Sequence, residues 1–393
     1  MIYREFKELK LPLLGFGAMR LPVTESGEID VGLTEKMVDY AMERGVNYFD
    51  TAYPYHAGQS EVVIGRILAK YPRESFFLAD KYPGHQLRER HDPREVFDNQ
   101  LKKCGVDYFD FYLLHDVNEK SVETYTDERW GIIPYFLEQK RLGRIKHLGF
   151  SSHAMAEGLE SFLEKYGADM EFCQIQMNYL DYTLQDAKRK YELLTERGIG
   201  VWIMEPVRGG KLAVLPEWAS ERLGEHRAGA SAASFAFRWL MQFDNIKMIL
   251  SGMSNMDHVT DNVATFEREE LLSPAECEIL SAVAESYKRS VPCTACRYCT
   301  DGCPSGLDIP MLISTYNELQ VSVAINVARR VEFLPDDKKP SACIGCGKCT
   351  YICPQKIDIP TVMYDLAAIT DKAPKWADIC LQRELEEKEN KKN

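Results

Sequence analysis

Eight of the chain's 12 cysteines fall in two runs, CTACRYCTDGCPSGLDIP at 293–310 and CIGCGKCTYICPQKIDIP at 343–360. Each run is C-x2-C-x2-C-x3-C-P, a spacing in which three thiolates from one tight loop grip three irons of a [4Fe–4S] cube. The fourth Cys, followed by Pro, serves the other cluster in two-cluster proteins. On that rule Cys293, Cys296, Cys299 and Cys353 hold one cluster, and Cys343, Cys346, Cys349 and Cys303 hold the other. Structural zinc also uses C-x2-C but joins two such pairs across a longer loop, so two complete quartets point to iron–sulfur chemistry. The acidic and apolar neighbours Asp301, Asp308, Asp358, Ile344 and Ile352 suit low-potential clusters, because negative charge and low polarity disfavour the more anionic reduced core. Cys104, Cys173, Cys277 and Cys380 are scattered singly; the first two lie in apolar-periodic segments and read as small buried hydrophobes.

A second group of reactive side chains ends three apolar segments. Asp50 closes VNYFD, Lys81 closes FFLADK and His115 closes FYLLH, while Tyr55 follows in the loop after Asp50. An ammonium beside a phenol lowers the phenol pKa from about 10 towards the working pH, so Tyr55 is expected to give or take a proton. His85, His91, His147 and His153 have no partner pattern and read as structural, with His153 close to any cofactor bound there.

The elements that must position these residues alternate. Short apolar strands are expected over 14–19, 46–50, 76–81, 108–114, 145–151, 172–177, 200–205 and 248–251, with amphipathic helices between them over 34–44, 60–71, 93–104, 154–166, 183–197 and 231–243. Such alternation implies a parallel sheet with crossover helices. Eight strands over this length, with no G-x-G-x-x-G turn after the first, fit a closed (β/α)8 TIM barrel better than an open doubly wound sheet. Active sites of such barrels lie at the C-terminal ends of the strands, where Asp50, Lys81 and His115 are expected. After Leu272 the texture changes, and Ser273-Pro274 starts a helix that leads into the cysteine runs. The offset of fifty residues between those runs reads as a duplication, with 310–332 as helix between the copies.

At 393 residues and 45% hydrophobic side chains, two domains are the natural expectation. A net charge of −12 opposes binding to a phosphate backbone, so no nucleic-acid partner is expected. No apolar run approaches the roughly 20 residues of a membrane span, and 1–10 carries alternating charge rather than a leader pattern, so a cytoplasmic chain with no membrane contact is expected. The final ELEEKENKKN reads as a solvated charged tail.

The segments VNYFDTAYPYHAGQSE, FFLADKYPG and FYLLHDV resemble the tetrad segments of the aldo-keto reductase family, with Asp50, Tyr55, Lys81 and His115 on the four matching positions. Tyr53 is the nearest rival to Tyr55, but its spacing from Asp50 does not match. The resemblance implies that a nicotinamide hydride attacks a carbonyl carbon while Tyr55 protonates the oxygen, Asp50 and Lys81 tune the phenol, and His115 orients the carbonyl. It continues through LGFSSHA at 148–154, CQIQMNYLD at 173–181, MEPVRGGKL at 204–212 and LSGMSNMDHVTDN at 250–262. Ser151, Gln174 and Asn178 match positions that in the family surround the nicotinamide or its carboxamide. Met204 stands where an aromatic stacks on the ring, and Gly209, Gly210 and Lys211 match a loop near the pyrophosphate. His56 and Ser152 also depart from the family pattern, and Gly252 and His258 stand near the places of a Lys and an Arg that grip a 2′-phosphate, so both NADP and NAD stay open as cofactor. The C-terminal repeats resemble a helical two-cluster ferredoxin.

The expected architecture is therefore an α/β chain: an aldo-keto reductase-like barrel over 1–285, a smaller, mainly helical ferredoxin-like domain over 286–375 with two [4Fe–4S] motifs, and a charged tail over 376–393. The expected function is NAD(P)-dependent redox chemistry on a small carbonyl or alcohol, coupled to electron transfer through the clusters and to a redox protein partner. Hydride carries two electrons and a cubane passes one, so an electron-transfer adaptor that has lost reductase turnover is the alternative. A third reading makes the clusters structural in an ordinary reductase.

Overall fold

The computed structural model describes residues 1–86, 92–287, 291, 293, 295, 297, 299–300, 302–321, 324–353 and 355–390. The chain divides into two compact units, Met1–Val283 and Ala284–Asn393.

The first unit opens with a hairpin, β1 (Tyr3–Phe6) against β2 (Leu9–Pro12), paired antiparallel. Eight strands follow: β3 (Leu14–Gly17), β4 (Tyr48–Asp50), β5 (Phe77–Tyr82), β6 (Phe109–Leu114), β7 (Ile145–Ser152), β8 (Phe172–Gln176), β9 (Gly200–Met204) and β10 (Ile246–Gly252). They are parallel, in sequence order, and β10 returns to pair with β3, closing the barrel. The hairpin is not expected from the sequence because its four-residue strands interleave charged residues with few fully buried apolar anchors, Phe6 and Leu11, beside the partly buried Leu9. Those two side chains join the interior cluster of Tyr48, Ala79, Phe111, Leu113, Phe172, Trp202, Met248 and Leu250, with the Phe6 and Trp202 rings 4.9 Å apart edge to face.

This interior cluster shows how the strands present the reactive residues. Successive side chains of a strand face opposite sides, so residues two apart share a face. Tyr48, Ala79, Leu113, Phe172 and Trp202 point into the barrel. Two positions further along the same strands come Asp50, Lys81, His115, Gln174 and Met204. Residues of the alternate register, Phe49, Leu78, Tyr82, Leu114, Cys173 and Ile203, belong instead to the layer between sheet and helices. That outer layer is covered by helices including Val31–Glu43, Gln59–Leu68, Pro93–Cys104, Ile132–Arg141, Ala156–Tyr166 and Ala232–Met241. Asp30, Asp92 and Ser231 start three of them by accepting a backbone N–H, as N-cap residues do.

The second unit is helical, with Ile309–Val321, Ile325–Glu332, Ile359–Lys372 and Trp376–Asn390 around a core of Leu307, Leu312, Ile313, Val327, Ile359, Met363 and Leu366. The expected helix over 310–332 is two helices rather than one. The repeated D-I-P has a local purpose: Asp308 and Asp358 accept N–H groups of Met311 and Thr361, and Pro sits in the first turn, where its missing donor is harmless. Asp308 also pairs with Arg297 at 3.2 Å, so its charge is partly spent locally. Asp301 lies outside the described residues. The segment expected as a tail begins as a helix, anchored where Trp376 donates its backbone N–H to Glu332 at 2.8 Å and Arg329 lies over its ring. Among the described residues no helix is long and apolar enough to cross a membrane.

Gly65 shows how tightly the outer layer is fitted. A Cβ there would collide with the carbonyl oxygen of Cys104, at the end of the neighbouring helix. Gly65→Ala must push the Gln59–Leu68 helix away from Pro93–Cys104, and we expect a loss of about 1–3 kcal/mol in chemical denaturation, the cost of overpacking. An unchanged midpoint would show that the two helices slide freely.

Candidate functional site

Lys81 is the centre of the barrel site. Its side chain is fully buried at the end of β5, and Nζ donates to Asp50 Oδ1 at 2.6 Å and to the Thr51 carbonyl at 2.7 Å. Burial opposes the ammonium, but Asp50 and Tyr55 outweigh it, and the Lys81 pKa is raised. The ammonium lies 5.0 Å from the centroid of the Tyr55 ring, which meets the His115 ring edge to face at 6.1 Å. All four tetrad candidates therefore meet at the C-terminal end of the barrel.

Tyr55 is delivered by a pinned loop. Its N–H donates to Ala52 O at 3.0 Å, and His56 and Ala57 take left-handed φ values of 49° and 52°. His56 Nε2 accepts the Leu21 N–H at 3.2 Å, and Ser60 donates to Ala18 O at 3.0 Å, so the loop is tied to the end of β3 at two points. Tyr55 is half-buried. Burial raises its phenol pKa, with Lys81 pulling the other way and losing. This corrects the expected downward shift: desolvation of a phenolate costs more here than the ammonium returns, so Tyr55 is held as an acid.

His115 is half-buried, and desolvation first, then His85 and Lys81, pushes its pKa well below the usual range, favouring a neutral imidazole. Among the described residues its Nδ1 has no hydrogen-bond partner. His85 packs on it with ring centroids 4.5 Å apart, so this residue, read from sequence as structural, forms part of the site. No local pattern marks it; it follows Lys81 in a loop whose path only the fold decides. His91 lies outside the described residues. His147 is structural as expected, bonded to Glu171 at 3.0 Å. Tyr53 lies with the Lys103 ammonium 4.9 Å from its ring centroid, whereas Tyr55 faces Lys81.

Behind Lys81, on the helix side of β5, sits a buried acid pair. Asp80 and Glu61 are both fully buried, and burial together with the Glu61 charge pushes the Asp80 carboxyl well above the usual carboxylate range. Glu61 accepts from Gln100 Nε2 at 3.0 Å and Lys103 Nζ at 2.9 Å, and the same Gln100 amide donates to the Lys81 carbonyl at 3.0 Å. Asp80 Oδ1 accepts the Lys81 N–H at 2.8 Å, so the peptide carrying the ammonium is held from both sides.

The cofactor-binding candidates divide. Gln174 is buried on β8, and among the described residues its Oε1 has no hydrogen-bond partner, an orphan acceptor that fits a carboxamide N–H. Ser151 accepts the Asp116 N–H at 2.8 Å, which leaves its own hydroxyl proton to give. Asn178 is removed from the set. Its Nδ2 donates to Asp181 Oδ2 at 2.7 Å and Glu205 O at 3.0 Å, and its Oδ1 accepts from Leu180 and Asp181 at 3.1 and 2.8 Å, so every hydrogen-bonding position is spent. Met204 is half-exposed at the end of β9. Gly209 and Gly210 are exposed with φ of 61° and 96°, and Lys211 beside them is exposed.

In the helical unit a pocket is lined by Cys303, Cys343, Cys346 and Cys349 with Leu307, Ile309, Ile359 and Met363 as apolar walls. The fourth Cys of the first run thus lines one pocket with the first three of the second, and Cys299 lines a neighbouring one with Cys346 and Cys349. Among the described residues no three His, Cys, Asp or Glu side chains converge closely enough for one ion. Cys299 and Cys353 are buried in one hydrophobic cluster with Cys293 packed against it, while Cys296 lies outside the described residues. Cys104 and Cys173 are buried, and burial raises both thiols, as inert core residues require.

Comparison with known proteins adds two matches and several relatives. Residues 13–285 match the model of the aldo/keto reductase family, and residues 292–357 match that of a 4Fe–4S dicluster domain. The NADH-specific methylglyoxal reductase of Escherichia coli is 24% identical, the alignment covering 67% of this chain and 91% of the relative. L-galactose dehydrogenase of Arabidopsis thaliana is 27% identical over 70% of this chain and 90% of the relative. The holo form of an aldo-keto reductase from Bacillus halodurans superposes with a TM-score of 0.57 at 25% identity, covering 72% of this chain and 96% of that one.

Three outcomes follow from this geometry. Lys81→Met removes the one charge that lowers the Tyr55 pKa, so the alkaline limb of any turnover profile should move further up, and Tyr55→Phe should cut turnover on the order of a hundredfold or more. A Tyr55→Phe protein turning over at the parental rate would remove the phenol from the chemistry. In the helical unit, Cys303→Ser should alter the electron paramagnetic resonance of the cluster held by Cys343, Cys346 and Cys349; damage confined to the other cluster would refute the exchanged ligation.

Proposed function

The chain belongs to the aldo/keto reductase family, and on that premise we propose that it is an NAD(P)-dependent oxidoreductase of small carbonyls or alcohols. Its second domain carries two [4Fe–4S] clusters that pass electrons to or from a redox protein partner in the cytoplasm. The observation that carries this reading is the meeting of the Tyr55 and His115 rings beside the buried Lys81–Asp50 pair.

A bound reduced nicotinamide supplies the hydride. The chain's own residues do the rest. The carbonyl oxygen lies between Tyr55 and His115, where the neutral imidazole donates an N–H to it and fixes its orientation. As charge develops on that oxygen, the Tyr55 proton moves to it, and Lys81 stabilises the phenolate left behind. Asp50 keeps the ammonium in place and offsets its charge, so the pocket does not bind anions indiscriminately. Gln174 and Ser151 would hold the carboxamide, and Gly209, Gly210 and Lys211 the phosphates. The thiols of Cys293, Cys296, Cys299 and Cys353 would ligate one cluster, and those of Cys303, Cys343, Cys346 and Cys349 the other; each cluster carries one electron at a time.

Anaerobic purification should yield about eight iron and eight acid-labile sulfide per chain. Stoichiometric zinc in their place would sink the cluster assignment. Gln174→Ala should weaken nicotinamide binding in calorimetry, and an unchanged affinity would count against the carboxamide site. Nucleotide binding without turnover of any carbonyl would favour the electron-transfer adaptor.

A further inference from the structure

The residue after β9 is held in an unusual way. Glu205 has φ of 56°, a left-handed conformation disfavoured for a residue with a Cβ. Two donors hold it there: Asn178 Nδ2 and the Arg208 N–H both donate to its carbonyl at 3.0 Å. Strain maintained by dedicated hydrogen bonds at the C-terminal end of a barrel strand marks a side chain whose direction matters.

The held side chain lies among cations. The Glu205 carboxylate accepts the Gly209 N–H and faces Arg20 Nη2, which comes from the loop after β3, at 3.9 Å. A Cβ on Gly209 would stand 3.3 Å from Arg20 Nη2 and 3.6 Å from Glu205 Oε2, so these three groups form one contact set. Arg208, nearly fully buried, lies beside them with its guanidinium 3.3 Å from Asp181, and among the described residues its nitrogens complete no hydrogen bond. Gly210 presents open backbone, with nothing within 4 Å of the place of a Cβ. Two guanidiniums, a glycine amide and the neighbouring Lys211 make a cradle for an anionic group, and the anion in it belongs to the protein.

We propose that Glu205 is an internal stand-in for ligand phosphate, and that a dinucleotide seats its pyrophosphate on Arg20 and the Gly209 amide only by displacing the Glu205 carboxylate. This rests on the reading of Gly209, Gly210 and Lys211 as the phosphate loop. Burial raises the Glu205 pKa, with Arg20 and the Gly209 amide opposing it and Asp181 reinforcing it. The sign follows directly: at higher pH the charged carboxylate holds the cradle and competes, whereas on acidification it becomes neutral and releases Arg20. Binding of a phosphate ligand therefore strengthens as pH falls through that pKa and is accompanied by proton uptake.

The test is anaerobic calorimetry of the full-length, cluster-loaded protein with ADP-ribose, which carries the pyrophosphate but no nicotinamide. Near pH 8, Glu205→Gln and Glu205→Ala should both bind on the order of tenfold more tightly than the parent, because a like charge has left the site. The advantage should shrink as the pH is lowered and the parent carboxylate neutralises. The parent should take up protons on binding, measured in buffers of different ionisation heat, and the variants should take up fewer. This parental measurement stands even where a variant fails to fold. A purely structural Glu205 would give weaker binding in the Ala variant and no proton uptake in the parent, which overturns the proposal while leaving the nucleotide site intact. Failure of the parent and both variants to bind ADP-ribose or NAD across this range would instead remove the nucleotide reading, and the stand-in with it.

Discussion

The barrel site depends on one buried ion pair. An ammonium with no solvent is tolerable only when its donors are spoken for, and Lys81 meets Asp50, the Thr51 carbonyl and the face of Tyr55. Removing one partner of such a pair typically costs about 3–5 kcal/mol because the other charge is stranded. The pair therefore locks the ends of β4 and β5 together at the level where Tyr55 enters. The neutral state of His115 follows from the same source, since burial and a nearby fixed cation both disfavour a second positive charge.

Support for that pair comes from the opposite face of β5. Asp80, one residue from Lys81, points into the helix layer, where its proton lets two carboxyl groups share a dry space. Gln100 ties this acid pair to the Lys81 carbonyl, and Tyr112 donates to Gln100 at 2.5 Å. Polar groups in low dielectric strengthen one another when all are satisfied, and such a network fixes the backbone under the buried ammonium more firmly than apolar packing alone. The two faces of one strand thus carry the reactive group and the frame that aims it.

The helical unit solves a different problem. A small domain that must hold inorganic clusters has little apolar core of its own, and here the core residues follow each cysteine run directly, as L-D-I-P and I-D-I-P. The Asp caps the next helix and the Pro stiffens its first turn, so the loop of thiols and the helix behind it form as one piece. Because Cys303 of the first run lines a pocket with Cys343, Cys346 and Cys349 of the second, both runs contribute to its wall.

Much of this was legible in the sequence because its signals are periodic or stoichiometric. Alternation of strand and helix announced the barrel, and the places of Asp50, Lys81 and His115 follow from each lying two residues beyond an interior apolar side chain. Thiol spacing declared the clusters for the same reason, since ligand geometry is written in local intervals. What the sequence could not carry is competition between distant groups. Tyr55 looked like a phenol with a lowered pKa, yet burial outweighs Lys81; Asn178 looked like a cofactor ligand, yet its four bonding positions are consumed by Asp181, Leu180 and Glu205. His85 and Arg20 enter the site through loops, and the carboxylate of Glu205 enters the glycine cradle through a left-handed turn. Residue type and interval determine which groups are available; desolvation and partner saturation depend on what the closed barrel brings together, and only the tertiary structure decides them.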